Sequence, residues 1–390
     1  MPDLRLTTFD RERISEAVIQ PALDRLRARA RRRRRTMIVA AALGLLLVAL
    51  VAPGLAATVG RHRSDGPAPP GPLRMTVWDD RTVVGFDGPG EDCRFRFTRS
   101  DDAGSTWLPL NGPDTTADCL HDADGHPVSR AVAFSLTPDV FLVGVGVTDH
   151  VSTDAGRTWR DATATTRTVT VFPPEAQPVD CLTHCADLRP PVAVDPVAGT
   201  VYRLADPPTV GGRVYVAPDG AIWTAGAAGD GPGTVIAVST DRGASWRTTA
   251  GPAGALVAGL AARDARQAFV LFDPIDAGET GSSAARPVLW RTTDGARSWQ
   301  DLAVPLPRLD QSALTVGDDG RLLVGGLGRH TVPTWTSDDD GTTFTAGTAG
   351  PYGELGALPG RLWVSAGQPG APGSVTVDGT SWQSVPLPTQ

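Results

Sequence analysis

The sequence predicts an all-β protein, a β-propeller of six or seven blades with seven favoured, following a single N-terminal transmembrane helix. Three observations predict it. A polar turn ending in tryptophan recurs between residues 100 and 382, its copies are spaced by about one four-stranded blade, and a pair of short apolar runs precedes each copy.

The turn is clearest at Ser152-Thr153-Asp154-Ala155-Gly156-Arg157-Thr158-Trp159. Two further intact copies run through Ser100, Asp102, Gly104, Thr106 and Trp107, and through Ser239, Asp241, Gly243, Ser245 and Trp246. Ser337, Asp339, Gly341, Thr343 and Phe344 form a fourth with Phe in the last place. Thr292, Asp294, Ser298 and Trp299 form a fifth, whose glycine has slipped to Gly295, and Asp378-Gly379-Thr380-Ser381-Trp382 a shortened sixth. An Asp carboxylate accepts bonds from backbone N–H groups a few residues on and a Gly takes a positive φ, so the two fix a hairpin corner. The aromatic residue then opens the next strand and buries a large ring against its neighbour.

The spacing sets the architecture. The aromatics at 107, 159, 246, 299, 344 and 382 are separated by 52, 87, 53, 45 and 38 residues, so one repeat between Trp159 and Trp246 lacks its turn. Strand pairs are expected ahead of each turn, from 75–79 with 83–86 to 355–358 with 362–365, and a degenerate pair at 191–194 and 200–204 fills the gap. Counting it gives seven units of about 44 residues each. Six blades result instead if 165–210 is one long insertion.

Ahead of the repeats the chain reads differently. Residues 1–35 form a basic amphipathic segment, with 11 Arg against 5 Asp and Glu, read as cytoplasmic. Residues 36–59 are 24 uncharged, mostly apolar residues, enough to span about 30 Å of hydrocarbon as a helix at about 1.5 Å per residue. Arginines on its N-terminal side keep that side inside and place the bulk of the chain outside. A cleaved signal peptide is the rival reading, with Leu55-Ala56-Ala57 at the cleavage site. Residues 60–73 are a Pro/Gly linker, and 74–390 the extracytoplasmic propeller. Every basic side chain but the histidines is Arg. Residues 64–390 carry 23 Arg against 38 Asp and Glu, which argues against a nucleic-acid partner.

The recurring turn resembles the Asp-box, or BNR repeat, and the chain is similar to the sialidase-like β-propellers, as a membrane-anchored bacterial, actinobacterial member. That resemblance covers about 310 residues and implies a structural role for the boxes, at the blade rim and away from a substrate pocket. It also invites glycosidase activity, for which a sialidase needs an Arg trio, a Tyr nucleophile primed by a Glu, and an acidic acid/base. The Arg motif expected near the first blade is absent from Pro72-Leu73-Arg74-Met75-Thr76. Tyr352 with Glu354 is the one Tyr–Glu pairing that could serve, and whether Arg74, Arg130, Arg213 or Arg321 converge on the channel is not legible.

Other chemistry finds little support. Cys93, Cys119, Cys181 and Cys185 come after the membrane segment, and their order suggests bridges Cys93–Cys119 and Cys181–Cys185 among three possible pairings. Zinc on Cys181, His184 and Cys185 lacks a fourth ligand, and calcium at Asp338-Asp339-Asp340-Gly341 lacks most of a binding loop. The glycine-rich stretch 226–233 has no phosphate-binding Lys, and the histidines, including His121 and His126, read as surface residues of polar loops. The expectation is a binding or assembly platform for a protein or glycan ligand, without cofactor or metal; the alternative is an exo-acting sialidase-like glycoside hydrolase.

Overall fold

The structure is a computed structural model. It describes residues 74–87, 94–115, 120–121, 127–128, 131–145, 148–180, 190–208, 210–228, 233–274, 287–304, 306–307, 309, 312–328, 330–366 and 371–388. Residues 1–73, the four cysteines and Arg130 lie outside these, and with them the readings of anchor, linker, bridges and zinc.

Seven four-stranded sheets make a seven-bladed β-propeller, and among the described residues there is no α-helix. In the first blade Arg74–Val77, Val83–Asp87, Arg96–Ser100 and Leu108–Asn111 pair antiparallel in chain order. Five of the other six blades repeat that order. Their first strands, such as Val210–Val216, Ala255–Ala262, Ser312–Val316 and Gly353–Leu358, contact one another around the axis. Apolar residues on both faces of the middle strands then pack blade on blade, which supplies a core that no single sheet could bury. Trp223, Phe269, Phe272 and Leu289 are fully buried in the largest of these clusters.

The third blade departs from the rule. Val192–Val194 and Val201–Leu204, expected as its first two strands, are its two middle ones. Gln177–Pro178 flanks them on one side, and on the other lies Arg167–Val169, which comes from upstream and runs parallel to its neighbour. The stretch 165–210 therefore builds a blade and is not an insertion. It also explains the missing turn. In every other blade the turn joins the third strand to the fourth, and here that connection does not exist.

Among the described residues no strand crosses between the first and seventh blades. The ring closes by side-chain packing of Met75, Val77 and Val83 on Trp363, Val375 and Val385, and by a bond from the Met75 N–H to the Ser365 hydroxyl at 3.0 Å.

Candidate functional site

The sequence pattern points to Asp and Gly as the residues that fix the recurring turns, but Ser is their buried hub. Ser100, Ser152, Ser239 and Ser337 are at most 3% exposed. Each hydroxyl donates to the following Asp and accepts the Gly N–H, as with Ser152 to Asp154 at 2.9 Å and Gly156 to Ser152 at 2.9 Å. Asp154 in turn accepts the Thr158 N–H at 2.8 Å and its hydroxyl at 2.6 Å. Asp339 has the same partners in Thr343 and Ser337, and the Thr343 hydroxyl and N–H push its carboxyl down to about 2. The slipped glycine of the fifth copy changes nothing in the backbone: Gly295 and Ala296 both have positive φ, as do Ala155 and Gly156.

The aromatic residue staples blades together. The indole N–H groups of Trp107, Trp159 and Trp382 donate to Pro386, Asn111 and Thr348 at the end of the preceding blade. The indole N–H groups of Trp246 and Trp299 have no such partner among the described residues. The three successive acids at 338–340 also go three ways: Asp338 pairs with Arg321, Asp339 holds its turn, and Asp340 pairs with Arg263 of the fifth blade. Among the described residues no group of three metal-ligating side chains exists.

At the end of the ring where the first strands begin, Glu354 accepts from Arg74 Nε at 3.1 Å, across the boundary between the seventh and first blades. Tyr352 is 54% exposed, and its hydroxyl has no hydrogen bond among the described residues. Arg213 reaches from the fourth blade to the Ser312 carbonyl of the sixth at 3.3 Å. Only partly covered by area, it is crowded enough that burial pushes its guanidinium down to about 10, against the pull of Asp273. Tyr202 and Tyr215 are buried strand residues, and burial pushes the Tyr215 phenol up. The arginines thus do not form one cluster: Arg74 and Arg213 hold separate partners, and Arg321 lies among the turns.

Arginine at the blade boundaries is what the sequence did not reveal. Arg99 donates to Pro138 and Asp139, Arg203 to Asp149, Arg247 to Gly295, and Arg291 to Asp340, each in an adjacent blade. A signal existed, because Arg99 and Arg291 stand directly before the Ser or Thr that opens a turn. His150, expected with the other histidines in a loop, sits in the strand Thr148–Ser152 and is 8% exposed.

No family model matches the sequence, and no curated protein does. Solved structures match at low identity and with TM-scores under 0.5. The chain is 12% identical to an ancestral GH74 enzyme, with a TM-score of 0.49, covering 82% of this chain and 47% of that one. An alpha-L-arabinanase from Penicillium chrysogenum gives 15% identity and a TM-score of 0.41, covering 76% and 88%. YCF48, in a structure bound to D1 peptide, gives 16% and 0.34, covering 81% and 80%. The chain spans about half the length of the first of these. At these scores the likenesses carry no conclusion about this chain, whose propeller rests on its own sheet order.

Proposed function

We propose that the protein is a sialidase-like, Asp-box propeller held outside the cytoplasmic membrane by residues 36–59, and that it acts as a non-catalytic platform for a protein or glycan ligand. The observation that carries this reading is the engagement of Glu354 by Arg74. A Tyr nucleophile needs its acid as a hydrogen-bonded base, and here the acid serves to join two blades while Tyr352 stands exposed and unbonded. The ligand surface is the mouth around Tyr352, Arg74 and the exposed Leu256.

The test is turnover. Purified protein is incubated with fluorogenic sialosides, arabinan and xyloglucan oligosaccharides, with Tyr352→Phe as control. Inactivity throughout is expected. Turnover lost in Tyr352→Phe would establish the hydrolase reading instead. Reporter fusions after Gly60 are expected to be active only for an exported reporter, and a mature chain beginning near Thr58 would replace the anchor by a cleaved signal.

A further inference from the structure

The face of the ring that carries the turns has a cleft at the seam between the seventh and first blades. Val77, Val83, Val375 and Val385 form its floor, Asp79, Asp80 and Arg361 stand at its rim, and it is a small cleft that opens to solvent. The seam also differs from the sixth blade. There Arg321, directly before the second strand Leu322–Gly326, reaches the residue after the Ser that opens the turn, its Nε meeting Asp338 at 2.6 Å; in the first blade Arg81 Nε, one position further back, meets the Asp101 carbonyl at 3.2 Å. In the seventh blade Arg361 holds the Arg position, but the residue after Thr376 is Val377, whose side chain is 49% exposed.

The Arg361 side chain is left without a hydrogen bond or ion pair among the described residues, and its charge is felt across the cleft at Asp79. Asp79 is committed to its own turn, since Oδ1 accepts the N–H groups of Arg81 at 2.8 Å and Thr82 at 2.7 Å. Asp80, exposed beside it, has no partner among the described residues. A guanidinium on one wall, a free carboxylate on the other and valines between them discriminate among ligands by charge. A simple anion would face Asp79 and Asp80, a simple cation would face Arg361, and a neutral apolar molecule would strip water from both without replacing it. A ligand carrying both charges on a short apolar stem satisfies all three surfaces.

We propose that this seam cleft binds a small zwitterion, an α-amino acid with an apolar side chain, its carboxylate on Arg361, its ammonium on Asp80 and its side chain over the valines. The guanidinium fork matches a carboxylate bidentately. The site is independent of the channel mouth and of any activity there.

The test is equilibrium dialysis of the purified full chain in detergent against labelled L-leucine. Saturable binding is expected, weakened at least about tenfold in Asp80→Asn and in Arg361→Gln. Val377→Asp gives Arg361 the acid that Arg321 has; it is expected to abolish binding while the melting temperature holds or rises, so the loss cannot be unfolding. Leucine amide and 4-methylpentanoate, each lacking one charge, are expected to compete poorly. Absence of saturable binding to the parent protein, wild-type affinity in Val377→Asp or Asp80→Asn, or leucine amide competing as well as leucine would each overturn the proposal.

Discussion

Ser152 is the buried side-chain hub of its turn, and Asp154 stands nearer to water, so the two should not be equivalent on removal. Ser152→Ala leaves the buried Gly156 N–H without an acceptor, which costs about 1–3 kcal/mol. Asp154→Ala loses bonds whose donors water can reach, and about 1 kcal/mol is expected. Trp159→Ala removes a ring packed against Phe97 and Phe141 together with its bond to Asn111, for about 3 kcal/mol. Denaturant unfolding of the three variants checks the order. Asp154→Ala proving the most damaging would return the staple to the carboxylate. The set of residues in the turn was legible from sequence, but their ranking was not, because spacing says which residues recur and nothing of which one faces inward.

At the scale of elements, the third blade depends on contacts that the others do not need. Its parallel edge strand has no hairpin to hold it, and Arg242 of the fourth blade clamps the segment after that strand by donating to the carbonyls of Phe172, Pro173 and Ala176. Three charge-assisted bonds from one guanidinium are geometry that an ammonium cannot copy. Arg242→Ala, and equally Arg242→Lys, should therefore speed proteolytic cleavage within 163–180 and cost about 1.5–3 kcal/mol; full rescue by Lys would show that charge alone suffices. Strand pairs in six blades were readable ahead of their turns because Val83–Asp87 and its counterparts are apolar runs closed by turn residues. The third blade was misplaced by one strand because Gln177–Pro178 and Arg167–Val169 are too short and polar to show a pattern, and no local signal marks a strand that joins a sheet out of chain order. The rim pairing of Arg74 with Glu354 joins residues 280 apart, a separation only ring closure makes local.

Across the whole ring, two kinds of carboxyl respond to pH with opposite sign. Asp102, Asp154, Asp241 and Asp339 are held below the ordinary carboxylate value of 3.8. For Asp102 and Asp339 the turn hydroxyl and N–H groups are the leading cause; for Asp154 and Asp241 partial burial opposes the same bonds without overcoming them. Their contribution is present above 3.8 and is lost as pH falls through the folded values, down to about 2 for Asp339. Asp180 goes the other way. It meets the Val216 N–H at 2.6 Å and faces Tyr215, and burial pushes its carboxyl up to about 7. A raised carboxyl favours the folded state fully below 3.8 and loses that effect as pH rises through about 7. The two trends cross on the acid side of neutrality, so the melting temperature should peak near about pH 4–5 and decline towards about pH 8. Asp180→Asn keeps an acceptor for Val216 without a proton to lose, and should flatten the decline while leaving the acid limb intact. Melts of both proteins across that range decide it: a parent flat from about pH 5 to 8 would show that water reaches Asp180 freely, and an unchanged decline in the variant would assign it to the net −15 charge of residues 64–390 instead.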